Sequence, residues 1–186
     1  LFSTIELMSL LTGDLDCDGE LLLAEIKKMK LHKATNRKSI NPTGKAPTSD
    51  VYGLTKWKNY SNMKSRVESK YKGFYHTKLK TDYPEFQEYV DEFSYFYLPK
   101  SFKWHSVTIN KNFKCAAHKD AANIGISYIV GLGNYQGGQT VVEQRDGSVK
   151  FLDIKHTPCG FNGSELTHYT TDFTGDRYSV VFYNNL

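Results

Sequence analysis

Apolar residues recur at helical spacing twice in the first hundred positions and at strand spacing afterwards. Within residues 19–33, Leu21, Leu22, Ile26 and Met29 fall on one side of a 3.6-residue period, and lysines gather at the end, where the helix dipole favours cations. A second run, 85–97, opens after Pro84, which suits a first helical turn. It turns Phe86, Tyr89, Val90, Phe93 and Phe96 toward a core. The stretch between them, 34–80, is polar and poorly periodic. Asn41-Pro42-Thr43-Gly44 is a turn signal, Ala46-Pro47-Thr48-Ser49-Asp50 reads as loop, and 63–72 predicts a short basic helix. From Trp104 the texture becomes that of strands: 104–110, 124–132, 139–143, 149–154 and 178–183, separated by Gly and Asn clusters, with Asp146-Gly147 as a hairpin turn. Helices followed by many short strands imply an α+β fold in which a sandwich or barrel carries the site.

Charge sharpens this division. Residues 1–26 hold six acids and no base, whereas 27–80 hold fifteen Lys or Arg against Asp50 and Glu68. A basic block this dense fits a polyanion such as nucleic acid, and fits a solvated lysine-rich surface equally well. The pattern therefore divides the 186 residues into an acidic helical segment, 1–33, and one larger unit, 34–186, with its core at about 104–186. Cys17, Cys115 and Cys159 are odd in number and contain no Cys-x-x-Cys pair, which argues against a disulfide scaffold or a structural zinc. A reducing, intracellular compartment, cytoplasmic or nuclear, is expected. No apolar run approaches the roughly 20 residues of a membrane span. Residues 1–11 lack a basic leader and a small-residue cleavage site, so neither a membrane partner nor a signal peptide is expected.

One constellation carries chemistry. His118-Lys119-Asp120 precedes the strongest strand signal, and residues two apart on an extended chain share a face. His168 follows a later loop. Two imidazoles and one carboxylate leave coordination positions open and suit Fe(II). Arg177 and Ser179 begin the last strand on one face, where a guanidinium fork and a hydroxyl fit the far carboxylate of a dicarboxylate co-substrate. Each piece alone is weak; the order is the signal.

This order resembles the cupin-like, double-stranded β-helix (jelly-roll) dioxygenases that use Fe(II), 2-oxoglutarate and O2. The resemblance covers about 107–184. Within that superfamily, Cys115-Ala116-Ala117-His118-Lys119-Asp120-Ala121-Ala122-Asn123, Phe161-Asn162-Gly163 and Phe173-Thr174-Gly175-Asp176-Arg177-Tyr178-Ser179 look most like the TET/JBP group of nucleic-acid base oxygenases. The resemblance implies iron on His118, Asp120 and His168, 2-oxoglutarate on Arg177 and Ser179, and Asn123 near a flipped base. The implied reaction oxidises the methyl group of 5-methylcytosine or thymine. The chain's brevity resembles compact viral, algal or fungal members, and ascorbate is a further candidate cofactor. Asp120 in place of Gly or Ala disfavours a halogenase. A peptidyl, prolyl-type hydroxylase or a small-molecule oxygenase remains the alternative.

Other polar residues compete for roles. Asn110, Tyr128 and Ser127 lie on strands near the expected site, where one would hydrogen-bond 2-oxoglutarate; core polar positions are the alternative. His105 and His156 read as structural, and Gly137-Gly138 as a tight turn. Near the N-terminus, Asp14-Leu15-Asp16-Cys17-Asp18-Gly19 followed by Glu25 fits a single EF-hand loop, with Asp14, Asp16, Asp18, Glu20 and Glu25 as calcium ligands. The competing reading is an acidic helix N-terminus.

Overall fold

The computed structural model describes residues 9–56 and 69–186. Among these described residues, three α-helices, one 3-10 helix and eleven strands follow in the order α1 (Leu15–Lys28), the 3-10 helix Thr35–Ile40, β1 (Thr48–Lys56), β2 (Phe74–His76), α2 (Lys78–Asp82), α3 (Phe86–Tyr97), β3 (Ser106–Lys111), β4 (Ser127–Leu132), β5 (Tyr135–Gly137), β6 (Thr140–Glu143), β7 (Val149–Leu152), β8 (Cys159–Phe161), β9 (His168–Thr170), β10 (Phe173–Gly175) and β11 (Tyr178–Tyr183). The major sheet runs β2-β1-β3-β11-β4-β8, the facing sheet β7-β6-β9, and β10 pairs with β5; every strand pairing is antiparallel. The fold is a double-stranded β-helix, or jelly roll, supported by N-terminal helices.

Strand alternation divides the major sheet into two buried faces. On one, Val107, Ile109, Val130, Leu132, Val180 and Phe182 pack against Leu22 and Ile26 of α1 and Val90 and Phe93 of α3. On the other, Ile129 and Val181 meet Val142 and Leu152 of the facing sheet, with Ile154 and Phe161, forming the barrel interior. The helices thus brace the outside of the sheet whose inside holds the site.

Several expectations shift. Helix α1 begins four residues earlier than the apolar period indicates, because Asp14 caps it by accepting from the Cys17 N–H. In α3, Phe86, Val90 and Phe93 are buried, but Phe96 is exposed, since the sheet covers only part of the helix. The segment read as loop at 48–50 opens β1, which bridges β2 and β3. Ile124 and Ile126 precede β4 rather than lie in it, and both are exposed. The predicted helix at 63–72 lies mostly outside the described residues; its described part, 69–72, is not helical. Asp146-Gly147 does turn β6 into β7, with Gly147 at φ 84°. No helix among the described residues is long and apolar enough to cross a membrane.

The EF-hand expectation is overturned. All but the first of its twelve positions lie in the helix Leu15–Lys28, so the loop that would wrap a cation does not exist. The Asp18 carboxylate, fully buried, accepts from the Thr12 N–H and hydroxyl, the Gly13 N–H and the Tyr97 hydroxyl. Asp14 is the cap, Asp16 pairs with His156, Glu20 lies 3.5 Å from the same imidazole, and Glu25 pairs with Lys28. The carboxylates are spread over these partners, only Asp16 and Glu20 sharing one, and do not converge on a common point. The acidic helix N-terminus is the reading that holds.

Candidate active site

His118 and His168, fifty residues apart, face each other across an isolated antiparallel bridge. The His118 N–H donates to the His168 C=O at 3.1 Å and the His168 N–H returns the bond at 3.0 Å. Their ring centroids lie 4.3 Å apart. Asp120 joins them because its N–H donates to the Gly163 C=O at 2.8 Å, tying the His118 segment to the loop before His168. Gly163 permits this closeness: a Cβ there would stand 3.2 Å from the His168 ring and 3.5 Å from the Asp120 carboxylate.

The orientation of both imidazoles is set by backbone carbonyls. His118 Nδ1 lies 2.7 Å from the Ala116 C=O, and His168 Nδ1 lies 3.0 Å from the Leu166 C=O. A carbonyl only accepts, so both Nδ1 atoms carry protons and both Nε2 lone pairs turn inward. Those Nε2 atoms lie 3.6 Å and 3.4 Å from the two Asp120 oxygens. Lone pairs and a carboxylate converging at this range repel unless a cation joins them. This is the one group among the described residues whose His, Cys or carboxylate atoms could hold a metal ion together, all within 4.8 Å. Burial pushes the His118 imidazole below its usual pKa. At Asp120 burial acts upward, but the neighbouring His168 and His118 imidazoles and the charge of Arg37 hold the carboxyl below its usual range. Neutral imidazole beside ionised carboxylate is the state a divalent ion needs, and the donor set fits Fe(II).

Arg177 supplies the second half. It is only 2% exposed, with no carboxylate partner among the described residues. Its Nε donates to the Gly138 C=O at 3.1 Å, and its guanidinium carbon sits 5.6 Å from the Tyr135 ring and 5.4 Å from the Phe173 ring. One terminal nitrogen of Arg177, the Tyr135 hydroxyl and the Thr140 hydroxyl are all buried without hydrogen-bond partners. Leaving such groups unmet costs about 1–3 kcal/mol each, more for a charge. Arg177 and the neighbouring Tyr135 form a basic, hydroxyl-bearing socket that a carboxylate would satisfy. Thr140 stands opposite Thr170 and Val142 opposite His168, so the Thr140 hydroxyl lies two residues along the strands from the metal ligand, about 7 Å. That is comparable to the length of a five-carbon diacid.

The remaining candidates divide by face. Ser179 lies on the inner face beside Asn110, whose amide donates to Ser179 at 3.0 Å and accepts from the Ser49 hydroxyl at 2.7 Å. Asn110 therefore anchors Ser179, whose own proton has no acceptor among the described residues. Tyr128 is a correction: its cross-strand partner is Phe182, so it points to the helix side, where it meets Phe102 edge-on at 4.7 Å. Ser127, on the inner face, is buried and lies 3.4 Å from the half-buried amide of Asn123. His105 and His156 are structural, bonded to Asn184 and Asp16. Gly137-Gly138 does more than turn the chain. Gly138 has φ 66°, and a Cβ there would lie 2.6 Å from Arg177 Nε, so the missing side chain is part of the guanidinium's seat. The sequence pattern does not single out Tyr135 and Phe173, because no periodicity marks the three-residue strands β5 and β10 as a binding wall, nor Thr140, whose strand is predicted but whose hydroxyl carries no motif.

No family model and no curated protein matches the sequence. Solved structures do match. A prolyl-4-hydroxylase from Pseudomonas putida aligns over 96% of this chain and 90% of its own, at TM-score 0.52 and 14% identity. NgTET1 in complex with 5mC DNA aligns over 89% of this chain and 68% of its own, at TM-score 0.50 and 17% identity. A 2OG-Fe(II) oxygenase family oxidoreductase from Burkholderia pseudomallei aligns at TM-score 0.39 and 17% identity over 52% of this chain, which spans about half (51%) of that protein. The first two share the jelly-roll architecture described above.

Proposed function

We propose that this chain is an Fe(II)- and 2-oxoglutarate-dependent dioxygenase that hydroxylates a C–H bond of a nucleic-acid base, the methyl group of 5-methylcytosine or thymine. The observation that carries the first part is the pairing of an N,N,O metal triad with a buried guanidinium that lacks a counter-charge. Burying an unpaired charge costs several kcal/mol, and an anionic co-substrate offsets that cost only when bound. His118, Asp120 and His168 would hold the iron. Arg177, Ser179, Tyr135 and Thr140 would hold the far carboxylate of 2-oxoglutarate. When bound, the metal and its 2-oxo acid supply the oxidising power for an unactivated C–H bond, with O2 as oxidant and succinate and carbon dioxide as products.

The chain's own residues orient and exclude. The two backbone carbonyls lock the imidazoles, Gly138 and the aromatic pair Tyr135–Phe173 fix the guanidinium, and Ile129, Val142 and Phe161 keep the interior dry. The base substrate is supported by Asn123, half-buried three residues after Asp120, and by the exposed cations Lys27, Lys30, Lys33, Lys38 and Lys45. NgTET1, whose complex holds 5mC DNA, has this fold. A peptidyl hydroxylase is the second reading, supported by the likeness to the Pseudomonas prolyl-4-hydroxylase along nearly the whole chain.

Anaerobic titration with Fe(II) and 2-oxoglutarate, followed by O2 and mass spectrometry of oligonucleotides and proline-containing peptides, tests both. A one-oxygen mass gain on the methylated oligonucleotide with matching succinate is expected. Oxidation of peptide alone overturns the base assignment, and absence of succinate overturns the class.

A further inference from the structure

The 3-10 helix Thr35–Ile40 buries none of its side chains, yet it is fastened to the metal scaffold. The Ala116 N–H donates to the Ile40 C=O at 2.7 Å, and the Ala116 C=O receives His118 Nδ1. One residue thus joins this helix to an iron ligand. Arg37 lies one turn before Ile40. Its positive charge is felt at Cys115, His118, Asp120 and Tyr183, so it acts within electrostatic reach of the metal triad to which the helix is tied. Unlike its neighbour Lys38, Arg37 is half-buried, and its side chain makes no hydrogen bond or ion pair among the described residues. Residues 27–45 contain seven bases and no acid, so no carboxylate of that segment competes for it. Arg177 is the buried cation of the site; Arg37 is a second, separate and half-buried cation on the 3-10 helix tied to it.

We propose that Arg37 grips a phosphodiester of the nucleic-acid substrate, fixing the backbone so that the adjoining base enters toward the metal. This rests on the base-oxygenase reading above. A guanidinium binds phosphate through two parallel hydrogen bonds, a geometry that lysine cannot reproduce.

Fluorescence anisotropy with a short oligonucleotide containing 5-methylcytosine, measured across a salt series in the presence of 2-oxoglutarate without O2, tests it. Arg37→Ala is expected to weaken binding about tenfold and to lower the slope of log affinity against log salt by about one, the share of one phosphate contact. Arg37→Lys should keep the slope and lose part of the affinity. A merely structural role would not move the slope, and Arg37→Lys carries the comparison if the alanine variant does not fold. Firm wild-type binding with affinity and slope unchanged in both variants overturns the Arg37 assignment and leaves the substrate reading standing. A wild type that binds no oligonucleotide but binds an acidic peptide overturns both.

Discussion

Two segments of this chain carry metal-binding patterns, and only one builds a site. At Asp14–Glu25 the acids are close in sequence, yet they disperse to different partners: a cap, a buried four-bond socket, the His156 imidazole and Lys28. At His118, Asp120 and His168 the residues are scattered, and the β-bridge between the two histidines draws them together. Proximity along the chain is thus neither sufficient nor necessary. What matters is whether the donor atoms are left free by their surroundings and aimed at one point.

The sharpest way to break the comparison is to remove the carboxylate from each segment. Asp120→Ala should reduce Fe(II) binding and succinate formation by more than about 100-fold, since a direct ligand matters at least as much as the groups that only orient the ligands, whose loss costs about 10–100-fold. Full turnover by this variant would sink the ligand assignment. Arg177→Ala should raise the 2-oxoglutarate dissociation constant by about 100-fold, in line with the 2–5 kcal/mol lost when a buried charged contact is truncated. Isothermal titration reads this directly, and an unchanged constant would remove Arg177 from the pocket. Gly138→Ala should act in the same direction but less, about tenfold, because its Cβ would press on the guanidinium and its φ of 66° is strained for alanine.

Asp18→Asn should leave iron binding intact and cost about 2–3 kcal/mol in urea unfolding, the penalty of disturbing a buried, multiply bonded carboxylate. Its pH dependence follows in sign. Burial opposes ionisation, but the bonds from Tyr97, Thr12 and Gly13 win and hold the Asp18 carboxyl below its usual range. The unfolded chain therefore takes up the proton first as pH falls. The stabilisation is complete above the unfolded value of about 3.9 and is lost as pH falls through the lower folded value; the Asn variant should lack that acid-side loss. The smallest effect is expected from calcium: millimolar additions should leave the melting temperature unchanged, and a clear rise would restore the EF-hand reading.

Much of the architecture could be read before folding was considered. β4, β11 and α3 have enough length and alternation to declare themselves, and the His-x-Asp pair with the distal His named the three donors that the fold brings together. β1 hid because its polar residues face a barrel interior that is itself polar, where Ser49 bonds Asn110. The three-residue strands β5, β8, β9 and β10 hid because a period cannot be seen in three positions. Tyr128 misled because adjacent strand residues face opposite ways, and only the register with Phe182 reveals which way.

The amino-acid order by itself determined the donor types, the Asp146-Gly147 turn and the layout of helices before sheets, since these depend on local chemistry and periodicity. Tertiary structure alone decided which acids were consumed, which face Tyr128 took, and that Tyr135 and Gly138 border Arg177. Those outcomes depend on contacts between residues far apart in the chain, and a linear pattern carries no record of which distant group will satisfy a given polar atom.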